Sequence, residues 1–241
     1  MSLELFVGNY NYSSWSMRAG VLFRAFVPEF KEHLIHFDGF DDASNFKTEM
    51  RKISPTATVP ALRDNSEITH DGTPLIVWDT LSIVEYIAEY CPTAPVWPIN
   101  TIARAQARSL CAEMHSGFTH LRNLCIMNIG PDLGSVGKIL WRDNSGLRQD
   151  VGGLETAWTE QLNRTDGPFL FGEFGAVDAY FSPVVMRLQT YNLPINDRCR
   201  VYMDQVCQHR AVKDWIETAK ETAVFIDFEE PYRLGGDGSD Q

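Results

Sequence analysis

Asn9-Tyr10-Asn11-Tyr12-Ser13-Ser14-Trp15-Ser16-Met17-Arg18 joins a short apolar run, Leu3–Val7, to a segment in which Met17, Val21, Leu22 and Phe26 recur at helical spacing. The order is strand, loop, then the first turn of a helix predicted over Ser14–Phe26. Three serines crowd that turn, and serine is a preferred helix N-cap. A helix N-terminus carries about half a positive charge and several unpaired N–H groups. A hydroxyl held there can donate to an anion such as a thiolate; the plainer alternative is that these serines only cap the helix.

Outward from this stretch, the first ninety residues alternate short strands and helices. A second strand is expected over 34–37 and a short polar helix over 43–51. After Val59-Pro60-Ala61-Leu62, the turn signal His70-Asp71-Gly72-Thr73-Pro74 precedes an apolar run at 75–78. Asp79 then opens a helix whose apolar stripe is Leu81, Val84, Ile87 and Ala88. The order is βαβ, a hairpin and a helix.

Past residue 90 the character changes. Three prolines within 91–98 mark a linker, assigned to 91–101. Beyond it no strand is expected. Leu110, Met114, Phe118, Leu121 and Cys125 line one long helix that Gly130-Pro131 would stop. Leu147, Val151, Leu154, Trp158 and Leu162 form a second stripe, and Tyr180, Val184, Leu188 and Tyr191 a third, with shorter ones over 201–206 and 212–219. The polar, glycine-containing stretch 134–146 reads as loop, and the Gly/Asp-rich tail 235–241 as disordered. The expected architecture is a small α/β domain (1–90) followed by an all-helical one (102–234).

Composition bounds the function. The chain has 241 residues, 44% of them hydrophobic and 22% charged, as a globular protein should. No apolar run reaches the ~20 residues of a membrane span, and no basic-then-apolar leader is expected at the N-terminus. The five cysteines show no disulfide framework or metal-ligand spacing, which fits a reduced, cytoplasmic setting and no metal. A formal net charge of −11 argues against a nucleic-acid partner, so any anionic ligand must be held by local features.

Three further spots carry possible chemistry. Val59-Pro60 starts a strand; the ordinary reading is a trans, strand-initiating proline, the other a cis bond that turns the Val59 N–H and C=O toward an extended ligand. Asp79-Thr80 sits where a strand becomes a helix, as a plain N-cap or as a seat for a carboxylate and an ammonium group. Asp178 falls at the third position of a helix after Gly175, half of a capping box.

Taken in order, these features make the chain resemble the cytosolic glutathione S-transferases over almost its whole length. The resemblance rests on Ser13 to Ser16, Val59-Pro60, the helix from Asp79 to Tyr86, and Gly175 to Asp178. Within that family the zeta class is nearest: its Ser-Ser-Cys-Ser-Trp-Arg signature is similar to Ser13 to Arg18, and 116–124 resembles a zeta stretch. The resemblance implies a thioredoxin-like N-terminal domain, an all-α C-terminal domain, a homodimer, and glutathione as co-substrate. It implies that Ser13, with Ser14 in reserve, donates to the glutathione sulfur. It further implies that Val59 pairs with the cysteinyl backbone before a cis Pro60, and that Asp79 and Thr80 hold the γ-glutamyl end. A small hydrophobic electrophile would be met by Trp15 and by Met114, His115, Phe118 and Arg122, although Met114 and Phe118 also fit the core stripe.

The departures are specific. Trp15 stands at the zeta cysteine, and Ala57-Thr58 at a Lys-Gln pair, leaving Arg51 or Lys52 for the glycine carboxylate of glutathione. The arginine of zeta isomerases falls at Thr190, with Arg187 one turn earlier. Expected is a glutathione transferase. The alternatives are a glutathione-dependent isomerase or dehalogenase, in which Arg187 or Arg122 serves the substrate acid, and a non-catalytic binding member. A disulfide-exchange role is disfavoured, because no cysteine occupies the first helical turn.

Overall fold

The computed structural model describes residues 2–233. The expected tail 235–241 lies outside the described residues. Strands β1 (Leu3–Val7), β2 (Lys31–Leu34), β3 (Ala61–Ile68) and β4 (Pro74–Val77) form one mixed sheet in the order β2-β1-β3-β4. β1 and β2 are parallel, and α1 (Ser14–Phe26) is the crossover such a pair requires. β3 runs antiparallel to β1, with Leu5 opposite Leu62, and β4 antiparallel to β3. The period-two alternation of β1 is used on both faces. Leu3, Leu5 and Val7 are fully buried in the main core with α1, whereas Phe6 joins a smaller cluster with Tyr12, Phe37, Phe46 and Met50.

Two further helices belong to this part of the chain, α2 (Asn45–Arg51), capped by Ser44, and α3 (Thr80–Tyr90), capped by Asp79. After the linker come α4 (Thr101–Ser116), α5 (Thr119–Leu124), α6 (Gly134–Asp143), α7 (Ser145–Leu162), α8 (Ala176–Thr190), α9 (Asp197–Gln208) and α10 (Arg210–Glu221). Among the described residues the only β pairing here is a pair of isolated bridges within 169–173. A segment beyond α10 contains a short 3-10 turn, Asp227–Glu229.

α1 and α8 join the two parts. α1 packs against α8, α10 and α3. Gly20 allows the close approach of α10: a Cβ there would stand 2.0 Å from the Trp215 ring, whose Nε1 donates to the Tyr10 carbonyl at 3.1 Å. α8 is buried on nearly every side. The buried Asp178 carboxylate fixes its start, accepting from Gly175 N (2.9 Å), Leu170 N (3.3 Å) and Tyr202 Oη (2.9 Å). Gly175 has no side chain to complete the capping box, so only the expected half is present.

Three expectations require correction. β2 covers 31–34 rather than 34–37: the chain leaves the sheet after Leu34, and the Phe37 N–H donates to Asn9 Oδ1 instead of a strand. The long helix ends at Ser116 and not at Gly130-Pro131. Gly117 leaves the helix extended, Phe118 adopts a left-handed conformation, and the Asp150 carboxylate of α7 accepts from the Leu121 N–H of a new helix. The stretch 134–146 is not loop but α6 and the first turn of α7, broken only at the extended Asn144: Asp132 accepts from the Gly134 N–H, and Val136, Leu140 and Trp141 pack on the core. Gly137 is required there, because a Cβ would stand 1.8 Å from the Tyr191 carbonyl oxygen.

Candidate active site

A cleft of about 440 Å³ lies where the N-terminal turn of α1 faces α8. It is lined by Ser13, Ser14 and Trp15 from the first motif, Val59 and Pro60, and Asp79 and Thr80. Three segments singled out separately in the sequence thus meet at one place.

The serines differ in their hydrogen bonds. Ser13 is the N-cap of α1: its Oγ accepts from Ser16 N at 3.3 Å and donates to Ser16 Oγ at 2.8 Å, which also accepts from Gly8 N at 2.9 Å. The Ser13 hydroxyl is therefore engaged within its own turn. Ser14 Oγ instead accepts from Arg187 Nη2 of α8 at 3.2 Å. A guanidinium only donates, so this bond takes an oxygen lone pair and leaves the Ser14 proton free to be donated.

The Val59–Pro60 peptide is cis, the form implied by the resemblance rather than the ordinary reading. Asp79 caps α3 through Leu81 N at 3.2 Å, and its side chain remains about half exposed. Thr80 is buried, and its Oγ1 accepts from Tyr180 Oη at 2.6 Å. Arg51 and Lys52 turn away from the cleft, toward Asp42 and Glu49. Lys47 of α2 lines the cleft instead, its Nζ donating to the Ala57 carbonyl at 3.0 Å.

Of the four residues expected from the first long helix, none is among the residues lining the cleft. Met114 is buried in the core, and Phe118 is partly buried against it. His115 and Arg122 support Trp15: the His115 ring meets the indole edge-on at 5.0 Å, and the Arg122 guanidinium lies 5.0 Å from its centre. The buried Arg18 lies 4.2 Å from the same indole and 4.8 Å from the Tyr180 ring, so Trp15 is in cation–π contact with two guanidiniums. Burial pushes Arg18 and Arg187 down to about 10, so both remain cationic at neutral pH. Burial also lowers His115, whose Nε2 stands 3.3 Å from Asp79 Oδ2. Thr190 offers no cation; its hydroxyl donates to the Asn128 carbonyl at 2.9 Å.

Sequence reasoning missed Lys47, Ile126 and Glu229 as lining residues, together with Phe37, Phe40 and Phe46. Glu229 comes from the segment after α10. There, Tyr12 Oη donates to Val224 O at 2.8 Å and to the buried Glu230 carboxylate, and accepts from Ile226 N at 3.3 Å. Burial pushes Glu229 up to about 7, with Arg187 opposing.

Residues 12–89 match the family model of the glutathione S-transferase N-terminal domain. The chain is 29% identical over 83 residues to the probable maleylacetoacetate isomerase of Caenorhabditis elegans, covering 34% of this chain and only 35% of that one. To the maleylacetoacetate isomerase of Dictyostelium discoideum it is 24% identical over 180 residues, covering 74% of each. Among solved structures, a Burkholderia glutathione transferase homologue with bound glutathione superposes with a TM-score of 0.66 at 20% identity, over 92% of this chain and 100% of that one. A diazinon-metabolizing glutathione S-transferase from the silkworm Bombyx mori superposes with a TM-score of 0.68 at 13% identity, over 92% and 98%. The protein therefore has the glutathione transferase fold, a thioredoxin-like α/β part followed by helices. Residues 12–89 form a glutathione S-transferase N-terminal domain, and the chain is similar in sequence to maleylacetoacetate isomerases and in fold to glutathione transferases.

Proposed function

We propose that the protein is a glutathione S-transferase in which Ser14, positioned by Arg187, donates its hydroxyl proton to the glutathione thiolate. The observation that carries this reading is the bond from Arg187 Nη2 to Ser14 Oγ beside a Ser13 hydroxyl already engaged with Ser16. The helix terminus and the buried guanidinium both favour an anion at this point. Val59 would pair with the cysteinyl backbone, Asp79 with the ligand's ammonium group, and the N-terminus of α3 with the γ-glutamyl carboxylate, Thr80 included. Lys47 would take the glycine carboxylate. The thiol proton leaves to solvent, the sulfur lone pair forms the new C–S bond, and the leaving group departs with its electrons. A homodimer in a cytoplasmic setting fits this reading; all five cysteines are free, and among the described residues no helix is long and apolar enough to cross a membrane.

Conjugation of glutathione to a neutral aryl halide tests the proposal. Ser14→Ala is expected to lower kcat/KM by about 10- to 1000-fold, the range for losing one preorganised donor. Ser13→Ala is expected to cost about 1 kcal/mol of stability, as for a lost N-cap, and to keep most of the activity. The reverse pattern would return the role to Ser13, and no effect from either would remove serine activation. A glutathione-dependent isomerase of an acidic substrate is the second reading, favoured by Arg187 in the cleft; cis–trans isomerisation followed with and without glutathione separates the two.

A further inference from the structure

The segment beyond α10 closes one side of the cleft and brings a carboxyl group into it. It is tied down at three points. Tyr12, next to the serine pair, bonds Val224, Ile226 and Glu230; Phe228 packs edge-on against Phe40 at 5.4 Å; and Tyr232 Oη donates to the Leu124 carbonyl at 3.0 Å. Glu229 lies between these ties and lines the same cleft as Ser14 and Arg187.

The ionic groups among the described residues lining the cleft are Lys47, Asp79, Arg187 and Glu229. With glutathione seated as proposed above, a reading on which the present step rests, three of them are occupied. Asp79 faces the ammonium group, Lys47 the glycine carboxylate, and Arg187, through Ser14, the thiolate. Glu229 alone is left for the second substrate; the one cation that acts on it, Arg187, is turned to Ser14. A carboxylate on that substrate would be brought into a partly dehydrated cleft against a second carboxylate, where like charges repel more strongly than in water. A neutral electrophile meets no such opposition, and a cationic one finds a partner.

We propose that Glu229 is a specificity-determining residue, held in the cleft by the Tyr12 latch, which turns away electrophiles bearing a carboxylate and admits neutral or cationic ones. This goes beyond thiol activation, and it sets the protein apart from its relatives named for an isomerase.

The probes are two glutathione conjugates, one of a dinitrophenyl ring and one of the same ring carrying a carboxylate. Their affinities are measured by calorimetry at about pH 8, where the Glu229 carboxyl is ionised, for the full chain, for Glu229→Gln, and for Asp227→Asn, which removes an exposed carboxylate on the same segment outside the cleft. The wild type is expected to bind the neutral conjugate more tightly. Glu229→Gln should shift the ratio of the two affinities toward the acid by about tenfold, the scale of one like charge removed a few ångströms away; Asp227→Asn should leave the ratio where it was. An unchanged ratio in Glu229→Gln, or a wild type that prefers the acid, overturns the proposal. Failure of both conjugates to bind overturns the glutathione seat and the specificity claim with it. Discrimination in binding without turnover of an aryl halide supports the role of Glu229 and overturns only the transferase activity.

Discussion

At the scale of single residues, the site works by separating roles that the sequence leaves merged. Ser13 and Ser14 are adjacent and chemically identical, yet one hydroxyl closes a turn and the other meets a guanidinium that is 173 positions away in the chain. No local rule distinguishes them, because the distinguishing partner is tertiary. Asp79 is similarly double: it caps α3 with one oxygen and leaves the other beside His115 and the cleft. As an ammonium partner it would contribute a charge-assisted hydrogen bond of roughly 1.5–3 kcal/mol. Asp79→Ala is then expected to weaken glutathione binding by about 10- to 150-fold, converted at 1.4 kcal/mol per tenfold. Calorimetric titration beside a melting curve checks this; an unchanged dissociation constant with a lowered Tm would leave Asp79 as a cap only.

At the scale of elements, legibility followed the physics of local pattern. The stripes of α1, α3, α7 and α8 stood out because apolar residues at helical spacing need a core whatever its shape. The break after Ser116 did not, because the stripe through Phe118 and Leu121 continues across it and the Asp150 carboxylate that starts α5 comes from another helix. α6 was hidden by its glycines, which read as loop until the backbone of Tyr191 is seen against Gly137. The segment 223–233 carries no stripe at all. Its position depends on Tyr12, more than two hundred residues away, and so does the presence of Glu229 in the cleft. The raised Glu229 value makes its docking pH-dependent. In the docked state the carboxyl titrates near 7, above the ordinary carboxylate value of about 4.3. Its contribution to docking is therefore full below about 4.3 and lost as pH rises through about 7. Protection of the Ile226 amide, which donates to Tyr12, should fall over that interval after correction for intrinsic exchange, and Glu229→Gln should abolish the fall. A flat profile in the wild type would contradict the docked geometry.

At the scale of the molecule, the sheet and α1 hold the loop that carries the serines, α8 presents Arg187 against it, and α10 braces the back of α1 through Trp215 and Gly20. A chain with a net charge of −11 thus concentrates Arg18, Arg122 and Arg187 around Trp15 and Ser14, and among the described residues none of the three is ion-paired with a carboxylate. The fold's contribution to chemistry is this local reversal of sign, which would favour a thiolate where the molecule as a whole repels anions. Titration of the thiolate absorbance of bound glutathione tests this most directly. The wild type should hold the bound thiol at least about one unit below the ordinary thiol value of about 8.5. Ser14→Ala and Arg187→Met should each return it toward that value, while Ser13→Ala leaves it low. A bound thiol that titrates like the free one in the wild type, or that stays low in both Ser14→Ala and Arg187→Met, would contradict the account.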